Sequence, residues 1–547
     1  MRSPNTSTII LESQETIPLQ EPQTQDSNSS NALTQTQFIL AYTGLLSAVF
    51  LHSLDGTILS PAFSLILSDL GKETLLPWLG VYMLTSAAFG IMYGKVSMLV
   101  SKKHVFLVAL TLFLSGSLVC AVAPSMEVLV VGRAVAGIGG GGFLPLSYIA
   151  ISEMTAAESR AKYNAILGAV MGIGSILGPL LGGLVSQYLK WRWCFYINFP
   201  LGLIAFVFIA TSLNLPSVEK PDPRNLDILG AITLLMTLMC FNIPILLGGT
   251  TWSWNSPQVI SLFVLSVIGA VVFLWIEFYY ARDPMLPPAI FKERWITATA
   301  GISFCFGAAL SSYLFYFALL LEFIFGYSAV KTGGINVVTC TCYILFTIIS
   351  GAIISKGGHY ISFFIISPIL WIISTVWVAT FTEATDMAQL IISLVILGIA
   401  AGLISTTRVT AMQLQVAKEF IPITQGIASC SFTVGANVAI SITGTILNNV
   451  LVSKTDGVAE LHTAIDMLQQ NGIEVTVSQY ITLAKVLEAQ LSSSGNSTAV
   501  QVALTQLKRG FNDAFKYAYL SHLVYLAGIL LLVPVIWPKK SKQAVMA

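Results

Sequence analysis

Apolar runs long enough to cross a membrane recur along almost the whole of this 547-residue chain. A transmembrane helix needs about 20 mostly apolar residues, whereas the strands of a membrane barrel are short segments of alternating polarity. The runs follow one another in groups of six, two and six. They lie near residues 38–61, 77–98, 104–123, 127–149, 164–186, 193–213, 228–249, 257–279, 297–321, 333–354, 361–381, 387–408, 424–449 and 518–537. The sequence therefore predicts an all-α membrane protein with 14 transmembrane helices.

The composition excludes several other classes of protein. Hydrophobic residues make up 55% of the chain and charged residues only 10%, whereas a soluble domain carries about 25% charged residues. The net charge of +1 gives no basic excess with which to bind nucleic acid. The seven cysteines all fall in apolar runs without metal-ligand spacing, so we expect neither a disulfide framework nor a metal site.

The same pattern divides the chain into regions. We expect a disordered cytoplasmic tail, an N-terminal six-helix bundle, a linker with two extra helices, a C-terminal six-helix bundle and a second cytoplasmic tail. Their predicted bounds are 1–37, 38–213, 214–280, 281–537 and 538–547. The C-terminal bundle includes a long extracytoplasmic loop over 450–517, in which short amphipathic helices are predicted near 460–470 and 484–490.

The charges in the short loops predict the orientation. We count 17 Lys and Arg on the side of the N-terminus and four on the other side. Cytoplasmic loops are enriched in these residues, so both termini should be cytoplasmic. Glu277 and Arg408 stand at predicted cytoplasmic ends of helices. We expect Glu277 to reach the interface and Arg408 to serve as an orientation anchor.

No motif predicts nucleotide chemistry. A Walker A sequence is absent, so the chain does not hydrolyse ATP through a P-loop. The run Gly137–Gly142 matches the letters of a dinucleotide-binding loop, but it lies inside a predicted span. Small residues there more simply allow close helix packing. A transporter, channel or receptor is therefore expected rather than an enzyme.

Two charged residues in the apolar runs are the main candidates for a functional site. Asp55 and Arg133 each lie about six residues, or roughly 9 Å, from the outer end of their spans. Intramembrane charges are costly and often mark a transport pathway, so this equal depth predicts a pair that handles a proton. His52 precedes Asp55 by three residues and shares its helical face. A static ion pair and a His52 that only hydrogen-bonds a neighbouring helix are the alternatives.

A third acidic residue, Glu322, lies near the outer end of span 9 among aromatic residues that include Tyr316. These residues could form a second proton site or a site for a flat or cationic substrate. The alternative is that Glu322 is a hydrated residue at the membrane boundary.

The motifs around these charges resemble those of the drug:proton antiporters in the major facilitator superfamily. In the first half of the N-terminal bundle, the matching segments are Leu54-Asp55-Gly56-Thr57-Ile58 in span 1 and Gly94-Lys95 with Lys102-Lys103 in the first cytoplasmic loop. Span 4 contributes Gly132-Arg133. Span 5 carries the antiporter motif with Gly174, Gly178, Pro179, Gly182 and Gly183, and Trp191–Asn198 follows it. Together with the 14 spans, they point to a branch abundant in fungi. The chain departs from the loop motif at Met98, where the family carries an aspartate, and at Ser101.

This resemblance implies two bundles that rock around a central cavity, with Asp55 and Arg133 in proton coupling and the span 5 motif as a hinge. It implies export of small organic compounds or drugs, driven by a proton gradient and without a cofactor or an obligatory protein partner. The membrane would be the plasma membrane or that of the vacuole. The alternatives are a vacuolar basic amino acid/proton antiporter and a nontransporting sensor with the same fold.

The orientation can be tested by glycosylation. Three acceptor sequences begin at Asn5, Asn28 and Asn496. If both termini are cytoplasmic, only Asn496 is exposed to the glycosylation machinery, so Asn496→Gln should abolish a glycosidase-sensitive gel shift. Asn5→Gln and Asn28→Gln should leave the shift unchanged. Modification of Asn5 or Asn28 would contradict the orientation.

Overall fold

The structure is a computed structural model. It describes residues 34–59, 62–71, 80–215, 227–248, 252–281, 284, 294–327, 329–357, 360–382, 384–416, 420–455 and 498–536. The N-terminal half contains α1 (Gln35–Thr57), α2 (Phe63–Leu70), α3 (Val81–Leu99), α4 (Lys102–Ala121), α5 (Met126–Gly140), α6 (Phe143–Met154), α7 (Ala157–Tyr188), α8 (Trp193–Tyr196) and α9 (Asn198–Ser212).

The remaining helices are α10 (Ile228–Leu247), α11 (Pro257–Trp275), α12 (Arg294–Phe323), α13 (Ala329–Gly357), α14 (Tyr360–Val378), α15 (Met387–Gln415), α16 (Ile421–Thr455) and α17 (Thr498–Leu532). A π-helical turn follows α11 and a 3-10 turn follows α17. The residues described contain no β-strand, which confirms the predicted all-α class.

Polar residues at the starts of the apolar runs fix where several helices begin. Thr34 and Gln37 form a capping box at α1, in which each side chain pairs with the backbone of the other. Asp227 caps α10, and Ser256 caps α11 ahead of Pro257 in the first turn. These caps satisfy backbone N–H groups that have no partner within the helix.

Thirteen helical segments in the described residues are long and apolar enough to cross a membrane. The helices α5 and α6 form one of them, over Met126–Met154. The helix α3 occupies the predicted second span but is not among the thirteen. The number of spans, 14, therefore stays a prediction.

The predicted loop 450–517 is wrong at both ends. Helix α16 continues to Thr455, and α17 begins at Thr498. An ion pair of 3.2 Å between Lys454 Nζ and Asp513 Oδ2 joins these polar extensions, whose charges hid them from a search for apolar runs. The predicted helices near 460–470 and 484–490 and the site at Asn496 lie outside the described residues, as do the tails 1–33 and 537–547.

Three cations that were counted as loop charges are buried. Lys95 is 2% exposed, Arg160 5% and Arg408 5%, so 14 charges remain in the cytoplasmic count and the orientation stays a prediction. Glu277 is also buried, at 4% exposure, and the expectation that it reaches the interface is wrong. Glu277 lies in the π-helical turn after α11, and its side chain is buried within the protein.

The extra helices α10 and α11 pack against both bundles. A small apolar cluster joins them to α3 and α16, and its buried members are Ile91, Ala231, Leu234, Phe273 and Cys430. The Ser441 hydroxyl on α16 donates a hydrogen bond of 2.6 Å to the Ile245 carbonyl on α10. The linker helices are thus held in the protein by contacts to both halves.

The two bundles contact each other at one end, where α3 finishes and α7 starts. The Asn164 amide on α7 donates a hydrogen bond of 2.8 Å to Gln413 Oε1 on α15. A methyl group at Gly94 would lie 2.6 Å from the Pro422 carbonyl oxygen. At the opposite end, Gly333 and Gly334 in the first turns of α13 face open space.

Helix α7 provides tight packing between the bundles through its glycines. A methyl group at Gly174 would lie 2.8 Å from Ser53 Cβ on α1, and one at Gly172 would lie 3.0 Å from Tyr343 Cδ1 on α13. Pro179 lies inside the helix, with Gly182 and Gly183 one turn further on. The small residues let α7 approach both neighbours, while the hinge role stays a prediction.

An acidic residue clamps the loops beside α2. Asp69 accepts hydrogen bonds from Arg192 Nη1 at 2.6 Å and from Trp191 Nε1 at 2.9 Å. These bonds favour the ionised form and lower the pKa of Asp69. Arg192 Nη2 also donates to the Ala123 carbonyl at 3.0 Å, so one arginine connects two loops at this end.

The packing of α7 can be tested with Gly178→Ala. A methyl group there would lie 1.9 Å from Thr57 Oγ1 and 2.9 Å from Thr57 Cβ, so α1 and α7 must separate. Overpacking of this kind costs about 1–3 kcal/mol. We expect a lower Tm of the purified protein in detergent.

Gly333→Ala is the matched control, because nothing lies within 4 Å of its added methyl group. This substitution should leave the Tm unchanged or raise it, since alanine favours a helix. Equal Tm values for the two variants would contradict the tight contact between α1 and α7.

Candidate functional site

The predicted pair of Asp55 and Arg133 is present in the structure. Asp55 lies near the end of α1 and Arg133 in the middle of α5. Arg133 Nη1 donates to Asp55 Oδ2 in a salt bridge. Arg133 is 3% exposed and Asp55 is fully buried. The contact itself is therefore confirmed, whereas its role in proton coupling stays a prediction.

Asn198, to which the sequence pattern assigns no role, binds the other oxygen of the carboxylate. Its Nδ2 donates to Asp55 Oδ1 at 2.9 Å and contacts Ser117 Oγ at 3.1 Å. Asn198 is fully buried at the first turn of α9. A lone amide inside an apolar run was the available signal, because a buried amide needs a polar partner. Both oxygens of Asp55 are thus engaged.

Aromatic rings surround the Arg133 guanidinium. Its central carbon lies 4.3 Å from the centre of the Tyr82 ring and 6.0 Å from that of Phe195. Arg133 Nη2 lies 3.4 Å from the Asp55 carbonyl oxygen. In the part of the chain that the structure describes, Arg133 Nε has no hydrogen-bond partner. Breaking the pair would therefore leave a charge in an environment that cannot solvate it.

His52 connects to this cluster through Tyr82. Its Nδ1 lies 2.8 Å from the Tyr82 hydroxyl, and the His52 side chain is partly exposed. Because the Tyr82 ring also covers Arg133, one tyrosine contacts both predicted site residues. The hydrogen bond to a neighbouring helix agrees with the alternative reading of His52. A role in proton transfer stays a prediction.

The tyrosine predicted in span 9 is not part of this cluster. Tyr316 is buried in the core of the C-terminal bundle, where its hydroxyl donates to the Ile440 carbonyl at 2.7 Å. The side chain of Glu322 lies outside the described residues. A second proton site or substrate site at Glu322 and Tyr316 therefore stays a prediction.

The lysines of the loop motif have separate partners. Lys95 Nζ donates to the Pro284 carbonyl at 3.0 Å, Lys102 pairs with Glu153 at 2.8 Å, and Lys103 Nζ donates to Asn214 Oδ1 at 3.2 Å. Met98, which replaces the family's aspartate, packs against an apolar cluster of the other half. The buried residues of that cluster are Ile296, Met412, Ile423, Ile427 and Ala428. An apolar contact thus stands where the charge would be.

Arg408 is another buried cation, and its expected role as an orientation anchor is wrong. Helix α15 runs about two turns beyond the predicted end of the span, to Gln415, so Arg408 lies inside the protein. Its Nη1 donates to Ser303 Oγ at 3.3 Å, and its guanidinium carbon lies 5.1 Å from the ring centres of both Phe306 and Phe432.

The ion pair can be tested with a double-mutant cycle that compares Arg133→Gln, Asp55→Asn and the double variant Asp55→Asn/Arg133→Gln with the wild type. Removing one partner of a buried pair costs about 3–5 kcal/mol, because the other charge stays buried. Arg133→Gln should therefore lower the Tm in detergent strongly. The double variant should recover much of that loss, since it carries neither charge. An additive loss would show that the two residues do not interact.

Comparison with known proteins places these features in a family. The Major Facilitator Superfamily profile matches residues 45–442. The chain is 31% identical to the multidrug transporter protein MdtP of Bacillus subtilis, over 76% of each chain. It is 33% identical to the efflux pump aflT of Aspergillus parasiticus, over 68% of this chain and 74% of that protein.

Solved structures show the same fold. The proton:xylose symporter XylE matches with a TM-score of 0.55 at 13% identity, over 92% of this chain and 95% of its own. The human organic anion transporter MFSD10 matches with a TM-score of 0.54 at 12% identity, over 91% and 99%. Members of the matched family are transporters and not enzymes. The chain belongs to the major facilitator superfamily.

Proposed function

We propose that this protein is a proton-coupled antiporter that exports small organic compounds from the cytoplasm by alternating access. The single observation that carries the proton coupling is the buried pair of Asp55 and Arg133. Asp55 is the acidic member of a fully buried cluster, and a buried charge in a membrane helix usually marks a relay or a pathway. The efflux and multidrug pumps among the relatives support the direction and the class of substrate.

The pair links protonation to the contacts between helices. While Asp55 is ionised, it holds Arg133 of α5 and Asn198 of α9 against α1. A proton on Asp55 removes the charge that Arg133 balances and weakens this junction. The partly exposed His52, joined to the cluster by Tyr82, is the residue through which a proton would arrive. Protonation of Asp55 would thus favour one of the two access states.

Helix α7 is positioned to carry this change to the other bundle. Its Gly174 packs on Ser53, two residues before Asp55, while its Gly172 packs on Tyr343 of α13. A shift of α1 after protonation therefore displaces a helix that also contacts the C-terminal half. Substrate binding between the halves and protonation of Asp55 would then be coupled through α7, as antiport requires.

The proposal is tested with Asp55→Asn in proteoliposomes. Asparagine keeps the volume and can still accept a hydrogen bond from Asn198, but it cannot exchange a proton. With a fluorescent organic anion such as fluorescein as the dye and an imposed pH gradient, the wild type should concentrate dye. The variant should lose this accumulation and retain exchange of dye down its own gradient.

Asp386→Asn is the control, because it makes the same change at an exposed carboxylate that makes no side-chain cap hydrogen bond at the start of α15. It should behave as the wild type does. A folded Asp55→Asn protein that still concentrates dye would show that Asp55 has only a structural role. A wild-type protein with no transport of any kind would favour the sensor.

A further inference from the structure

Arg408 has hydrogen-bonding capacity that the protein leaves unused. Its side chain is 5% exposed, and its Nη1 donates to Ser303 Oγ at 3.3 Å. Within the described ranges, Arg408 Nε has no hydrogen-bond partner. An arginine can bind a carboxylate through two parallel N–H groups, and the edge that carries Nε is the one that Ser303 does not occupy.

The charge of Arg408 is also uncompensated among the described residues. Its electrostatic neighbours are the hydroxyl groups of Tyr148 and Tyr343, both of which are neutral at physiological pH. Arg133, by contrast, has Asp55 as its partner. Leaving a buried cation without a counter-ion is costly, and such residues usually mark a substrate or ion pathway.

Glu322 is too distant to supply the missing charge. It follows Ser303 by 19 residues on the same helix, α12, which corresponds to about 28 Å along the helix axis. No carboxylate among the described residues pairs with Arg408, so a bound anion is the counter-ion that this site invites.

The surroundings of Arg408 suit an aromatic or apolar molecule with a negative group. Phe306 and Phe432 flank the guanidinium with ring centres at 5.1 Å. The Tyr343 hydroxyl contacts Ser405 Oγ at 2.7 Å, one turn before Arg408 on α15. Sites for small molecules typically combine such apolar walls with a few polar groups that fix orientation.

Both bundles contribute to this region. Tyr148 belongs to α6 in the N-terminal half, whereas Tyr343 and Arg408 belong to the C-terminal half. Gln413, five residues after Arg408, lies 3.4 Å from the Tyr148 carbonyl oxygen and accepts a hydrogen bond from Asn164. Arg408 thus lies about 7.5 Å along α15 from the contact that closes one end of the protein. In the proposed alternating-access cycle, a position between the two halves would be exposed in turn to each side.

We propose that Arg408 binds the carboxylate of an organic anion and makes this protein an exporter of small aromatic or apolar acids. The inference rests on the export activity proposed above and names its class of substrate. It also disfavours the basic amino acids of the alternative reading, because a buried arginine repels a cationic ligand. A chloride ion has the same charge as a carboxylate, and the experiment must separate the two.

A binding measurement tests this without depending on transport. Purified full-length protein in detergent is heated with 2-naphthoate or with its neutral analogue 2-naphthamide, and the Tm is recorded. Ligand that binds only the folded state raises the Tm. We expect naphthoate to stabilise the wild type and naphthamide to have little effect. Arg408→Gln should weaken the apparent affinity for naphthoate by about tenfold or more, because it removes a charge-assisted pair.

Two further variants make the result specific. Arg408→Lys keeps the charge but loses the planar two-point contact, so it should bind naphthoate with intermediate affinity. Arg294→Gln removes an exposed arginine at the start of α12 and should bind as the wild type does. If Arg408→Gln does not fold, Arg408→Lys together with Phe306→Leu and Phe432→Leu provides the same test, because each should weaken naphthoate binding.

The outcomes decide between the ideas. If only the variants of this site lose stabilisation by naphthoate, the organic-anion proposal is supported. A wild type without transport driven by a pH gradient would overturn only the antiporter proposal and not this one. Equal stabilisation by naphthoate and naphthamide, or equal binding to the wild type and Arg408→Gln, would overturn the organic-anion site. Stabilisation by the same concentration of chloride would overturn it as well, in favour of an inorganic ion.

Discussion

The junction of α1, α5 and α9 depends on a single carboxylate in an environment without solvent. Asp55 balances the charge of Arg133 and satisfies the amide of Asn198. Neither the arginine nor the amide could remain buried without it, since an uncompensated polar group in hydrocarbon costs several kcal/mol. The stability of the N-terminal bundle and the chemistry proposed for it therefore rely on the same interaction. A site of this kind cannot be altered without an effect on folding, which is why function must be measured on variants shown to be folded.

Arg133 and Arg408 differ in what surrounds them. Arg133 has a carboxylate from its own chain, and Tyr82 covers one face of its guanidinium. Among the residues that the structure describes, Arg408 has a hydroxyl hydrogen bond and two phenyl rings but no carboxylate. Within that part of the chain, the first arrangement is electrically complete and the second lacks one negative charge. In the proposed cycle, the N-terminal half would exchange protons and the C-terminal half would hold the anionic end of the cargo.

The sequence predicted the helices and the first of these sites well, for a physical reason. Apolar length sets a transmembrane helix almost by itself, and Asp55 and Arg133 stood out because charges are rare in such runs. Asn198 was missed because an uncharged amide gives a weaker signal in an apolar run. Arg408 was misplaced because α15 continues past its apolar stretch to Gln415, and the end of a helix is the least certain part of a prediction. The partners of Lys95 and Lys103 come from distant segments, which no local pattern in the sequence reveals.

The contact made by Met98 has a consequence for how one end of the protein opens. A latch made from an ion pair weakens as salt screens its charges, whereas the burial of methionine against Met412 and Ile423 does not depend on ionic strength. Apolar burial instead carries a large heat-capacity change and loses strength on cooling. In the proposed alternating-access cycle, the balance between the closed and open states at that end should therefore follow temperature rather than the salt content of the surrounding solution. A thioether in place of a charge would thus change the physical variable to which this contact responds.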